Sequence, residues 1–143
     1  MAYHSILLDR VHIVRWQKPE LADTLPMIRE LRQAADRLGK KIIGVSIVPD
    51  GVDPPTDDTK SAMAKRMNDV LEVSDSVHFV MEGTGFRPSI MRSALSGMLL
   101  VGGKRGRVFV HKNIDQALKL IGPQIGMAPE LIKKLAREKG MTL

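Results

Sequence analysis

Between Ser76 and Ser89 the chain changes backbone state twice, and that stretch sets the tightest limit on the fold. Residues 76–81 read Ser-Val-His-Phe-Val-Met, rich in the β-branched and aromatic types that suit a buried strand. Gly83 and Gly85 then supply the permissive backbone of a tight turn, and Pro88 suits the first positions of a helix. Strand, glycine turn and helix in that order make a βα unit. At the carboxyl edge of a parallel sheet such turns present helix N-termini with unpaired N–H groups, where ligands and partners commonly bind.

The same alternation runs through the chain. Residues 4–16 hold two short apolar runs separated by Asp9-Arg10, which predicts a hairpin or a bent pair of strands. Leu21, Leu25, Ile28, Leu31, Ala35 and Leu38 recur at spacings of three and four, so an amphipathic helix is expected up to Gly39. Residues 41–49 are nearly continuously apolar, as in a strand buried on both faces. After a polar, proline-rich loop, a helix is expected from about residue 56 to residue 73, with Met63, Met67, Val70 and Leu71 as core filling.

Beyond the glycine turn, Ile90, Met91, Ala94, Leu95, Met98 and Leu99 mark a further helix, which stops near Gly102-Gly103. Residues 107–111 form the last predicted strand, and Ile114, Ala117, Leu118 and Ile121 mark the helix after it, with Gly122-Pro123 as its break. A terminal helix over residues 128–140 has proline at its start and glycine at its end. The expectation is an α/β fold: a single-domain, mostly parallel sheet flanked by helices, with right-handed crossovers and an extra C-terminal helix. The main domain is expected over residues 1–122. Residues 123–143 form a C-terminal helical extension packed on the same domain.

Composition narrows the function classes. A chain of 143 residues with 43% hydrophobic content is long enough for one domain with a core and too short for two ordinary ones. With no cysteine it has neither a disulfide framework nor a thiolate metal site, and a cytoplasmic location is expected. The start lacks a basic segment followed by an apolar run, and no apolar stretch reaches the roughly 20 residues that span a bilayer, so neither signal-type export nor a membrane span is expected.

A net charge of +6 attracts polyanions. Tyr3, Trp16, Phe79, Phe86 and Phe109 are the complete aromatic set, however, and Phe79 and Phe109 lie in expected core strands, leaving few rings to stack on bases. A basic nucleic-acid-binding protein is therefore the less favoured alternative. The histidines His4, His12, His78 and His111 show no H-x-H or H-E-x-x-H spacing, and Asp53, Asp57 and Asp58 do not follow a calcium loop, so no metal is expected. Neither a P-loop nor an early G-x-G-x-x-G is present, and no cofactor is expected.

In element order, domain size and the short strand pair that feeds an amphipathic helix, residues 3–122 resemble the STAS domain of anti-sigma-factor antagonists. The resemblance is one of topology. It implies a non-enzymatic signalling or regulatory module that docks protein partners or binds a small ligand. That family's phosphorylatable serine turn follows its third strand, where this chain reads Val48-Pro49-Asp50-Gly51-Val52-Asp53-Pro54-Pro55-Thr56. No serine matches, so the resemblance does not extend to a phosphorylation switch.

If the strands are parallel, their carboxyl ends gather Trp16, Glu82, Thr84, Phe86, Arg87, Ser89, Arg92 and His111 into one candidate binding edge. Arg87 and the N–H groups after Gly85 are placed to hold an anion, with Ser89 and Arg92 adding hydroxyl and charge. Capping alone also accounts for Thr84 and Ser89. Glu82 and His111 would make an acid and base pair if their strands are neighbours, but no serine or cysteine nucleophile completes a catalytic set. Trp16 and Phe86 suit either a contact surface or the core. The expected function is a regulatory domain that binds a protein partner, a second copy included, through Trp16, Phe86 and Arg87. A small enzyme or anionic-ligand sensor built on Glu82, Thr84, Arg87, Ser89 and His111 is the alternative.

Overall fold

The computed structural model describes residues 3–18, 21–51, 57–83 and 107–143, with backbone alone for 57–60. The expected third helix and the Gly102-Gly103 stop lie outside the described residues, as do Thr84, Phe86, Arg87, Ser89 and Arg92. Among the described residues five strands form one sheet: β1 (Tyr3–Leu8), β2 (Val11–Trp16), β3 (Ile42–Val48), β4 (Ser74–Met81) and β5 (Val108–His111). They lie side by side in chain order, with β1 antiparallel to β2 and every other pair parallel. The opening segment is thus a hairpin. Its two-residue turn requires a left-handed residue, and Asp9, with φ 53°, supplies it.

The helices among the described residues are α1 (Thr24–Leu38), α2 (Asp57–Glu72), α3 (Ile114–Ile125) and α4 (Pro129–Glu138), with a short 3-10 turn over Leu21–Asp23 ahead of α1. Because the parallel strands advance in one direction, right-handed crossovers carry α1 and α2 to the same sheet face. There Ile28, Leu31, Ala34, Met67, Val70 and Leu71 pack on Val14, Trp16, Ile42, Val48, Val77 and Met81. The other face carries α3 and α4, whose Ala117, Leu118, Ile121, Ile132 and Ala136 pack with Ile13, Ile43, Val45, Ile47 and Val80. The apolar run of β3 follows from this sandwich: Ile42 and Val48 enter one core while Ile43, Val45 and Ile47 enter the other.

One helix boundary departs from the sequence reading. Gly122-Pro123 does not break α3, which continues to Ile125 and ends at the left-handed Gly126. Proline disfavours helical backbone at the preceding residue by crowding its Cβ, and Gly122 has none. The same bareness lets the chain fold back, since a methyl group at Gly122 would lie 2.6 Å from the Met127 carbonyl oxygen. The turn into α4 is therefore tight, and α4 seats Ile132 and Ala136 in the core without exposure. Among the described residues no helix is long and apolar enough to cross a membrane.

Candidate functional site

Alternation along the strands decides which side chains meet. Val11, Ile13 and Arg15 on β2 share the α3/α4 face with Ile43, Val45 and Ile47 on β3. Ser76, His78 and Val80 on β4, and Phe109 and His111 on β5, lie on that face too. At its carboxyl edge Arg15 Nη1 donates to Glu82 Oε1 at 3.1 Å, reaching over β3 from the end of β2 to the end of β4. Arg15 Nη2 donates to the Thr142 carbonyl oxygen at 2.8 Å, which ties the chain beyond α4 to the same edge. Met141 beside it is buried against the core.

The turns after β3 and β4 are docked on one another. The Glu82 N–H donates to the Val48 carbonyl oxygen at 3.0 Å, and Gly83 leaves the sheet at φ +105°, a conformation open to glycine. Asp50 Oδ1 accepts from the Gly51 N–H at 2.8 Å while its side chain lies against Gly83. Gly83 is therefore held between two neighbouring turns.

Glu82 and His111 lie on neighbouring strands and on the same face, yet each has another partner: Glu82 is held by Arg15 and His111 by His78. His78 Nδ1 and His111 Nε2 are 2.9 Å apart, and Ser76 Oγ lies 3.3 Å from His78 Nε2. The two imidazoles are nearly parallel in plane, at 11°, with centroids 5.1 Å apart. That separation is about the N···N distance plus the reach of both rings, so the rings meet end to end through an in-line hydrogen bond. His78 is fully buried and its pKa is lowered to about 4, first by loss of water and then by the charge that His111 carries when protonated. Burial also lowers that of His111.

Trp16 faces the other way. It is 6% exposed, lies 5.1 Å from Tyr3 between ring centroids, and donates its indole N–H to Ser46 Oγ at 2.8 Å. Its ring belongs to the α1/α2 core and offers no exposed anchor, because strand alternation turns it under α1. Beside it lies a polar cluster that the sequence reading missed. Glu30 on α1 accepts from Tyr3 Oη at 3.0 Å and from Ser5 Oγ at 2.7 Å, and His12 Nε2 lies 3.1 Å from its carboxylate. Burial, then the hydrogen bond to Glu30, pushes the Tyr3 phenol up to about 12. For His12, burial outweighs Glu30 and the pKa falls. Neutral His12 with its proton on Nε2 donates to Glu30, so the cluster joins the β1 hairpin to α1.

Of the predicted edge, then, Glu82 and His111 sit on one face at the carboxyl ends, Trp16 lies in the opposite core, and the remaining candidates fall outside the described residues. Arg15 is the unpredicted member. Period-2 spacing after Val11 and Ile13 gives its face, but its partners Glu82 and Thr142 are remote in sequence. The chain matches no family model, no curated protein and no solved structure.

Proposed function

We propose that this protein is a non-enzymatic regulatory domain of STAS-like architecture that binds a protein partner at the carboxyl edge of its sheet. One observation carries the reading: the Asp50 and Gly83 turns are docked together at the end of β4, and Thr84, Phe86, Arg87 and Ser89 follow next in the sequence. A docked turn ahead of an aromatic and an arginine in the sequence suits recognition, since both residue types are enriched at protein interfaces. The reading is supported by the opening strand pair, which forms a hairpin ahead of the amphipathic helix α1.

The test is purification of the tagged protein from its own cell lysate at low and at moderate salt, with mass spectrometry of bound proteins and metabolites. The reading expects one stoichiometric protein that survives moderate salt. Only polyanions that wash away with salt would replace it with electrostatic binding.

A second reading is favoured by Arg15, Glu82 and His111 sharing one face at the carboxyl end. There the edge serves as a site for a small anionic ligand, with Arg15 exchanging Glu82 for the ligand. A retained metabolite without a protein partner, lost in Arg15→Gln, would select it.

A further inference from the structure

The partner-binding reading makes no use of the hydrogen-bonded chain of Ser76, His78 and His111, whose hydrogen-bond arithmetic leads elsewhere. In the neutral pair each ring carries one N–H. Either His78 Nδ1–H donates to His111 Nε2 while Ser76 Oγ–H donates to His78 Nε2, or every bond runs in reverse. The hydroxyl of Ser76 serves in both directions. Adding one proton at His111 Nδ1 puts N–H on both of its nitrogens, so Nε2–H must donate to His78 Nδ1 and His78 Nε2–H to Ser76 Oγ. Every hydrogen bond survives. A second proton has only His78 Nδ1 to occupy, which sets N–H against N–H across 2.9 Å and places two charges in an apolar site.

We propose that Ser76, His78 and His111 form a two-step proton-responsive latch between β4 and β5, closed in its neutral and singly protonated states and opened by the second proton.

The surroundings leave the latch to its own charges. β3 presents Val45 opposite His78 and carries no ionisable side chain. β5 presents Phe109, whose ring lies 4.9 Å from His78 between centroids. Just past the end of β4 the same face carries Glu82, held by Arg15, and within β4 Asp75 is exposed and pairs with Arg10. The charged residues of α3, Asp115 and Lys119, are both exposed, and Asp115 pairs with Lys133 of α4. Arg107 and Lys112, flanking β5, are exposed, and Arg107 donates to the Leu71 and Ser74 carbonyl oxygens. Repulsion between the two rings is mutual, so burial sets the order of charging: His78 is fully enclosed while His111 keeps some exposure, and His111 charges first. β5 is the element released, because it has four residues and, among the described strands, pairs with β4 alone.

Long-range proton–nitrogen spectra of the full chain, labelled with nitrogen-15 in histidine and assigned through the backbone, follow the four rings from about pH 7.5 to about pH 3.5. Amide exchange in β5, corrected for its intrinsic pH dependence, is read beside β2 as an internal reference. The latch predicts that His111 charges first with His78 Nδ1 still an acceptor. Charging of His78 then accelerates β5 exchange roughly tenfold or more relative to β2. Three results would overturn it: His78 charging first, both rings charging in one step, or β5 and β2 opening together.

Discussion

Asp50 lies against the bare Cα of Gly83, so closely that a methyl group there would come within 2.6 Å of Asp50 Cγ. With Gly83 at φ +105°, sterics and backbone geometry exclude other residues together. Gly83→Ala is expected to lose about 2 kcal/mol in urea unfolding. Asp50→Ala should recover part of that loss by removing the carboxylate while leaving the backbone strain. Equal losses in both backgrounds would show that the two turns do not bear on each other.

Glu30 joins β1, β2 and α1 through three partners, so its loss leaves several donors stranded together. Glu30→Ala should cost about 3 kcal/mol, and Glu30→Gln less, because an amide oxygen still accepts. The chain has one tyrosine, which makes the titration specific. The Tyr3 phenol, at about 12 in the folded protein, should ionise at lower pH in Glu30→Gln. An unchanged ultraviolet titration would remove Glu30 as a cause.

Acid acts through His78. A histidine whose folded pKa is lowered contributes stability that is fully present above its unfolded value of 6.5 and is lost as pH falls towards about 4. The sign is therefore destabilisation on acidification, about 2 kcal/mol by pH 5 from this ring alone. Urea unfolding at about pH 7 and about pH 5 should show that loss in the wild type and a smaller one in His78→Gln. The lowered pKa of His12 adds in the same direction.

Trp16 is the single tryptophan, and its indole N–H ends on Ser46. Emission should be blue-shifted and poorly quenched by iodide, because the ring is buried. Ser46→Ala should cost about 1–2 kcal/mol by leaving a buried donor unpaired. Free quenching in the folded protein would place the ring at the surface and restore its candidacy as a contact residue.

The fold was legible where periodicity carries it. Continuous apolar runs and three-and-four spacing located β3, α1 and α3, because burial of whole faces leaves a local imprint. Gly122-Pro123 has the look of a break, yet a glycine before proline removes the clash that ends a helix, and α3 runs on to Ile125. The polar clusters were illegible for a different reason. Glu30 joins residues 18 to 27 positions away, and Arg15 reaches Glu82 across 67. Such pairs depend on strand order, which no local window contains. His78 lies in the expected strand, but its partner His111 appears only once β4 and β5 are known to adjoin.

The central claim, recognition of a protein partner by the segment that leaves β4, is tested most directly by Phe86→Ala and Arg87→Glu. Each is compared with the wild type for retention of the co-purifying protein at moderate salt, with thermal unfolding as the control for fold. The account predicts that both variants stay folded and lose the partner. Full retention by both folded variants would contradict it and move recognition to another surface.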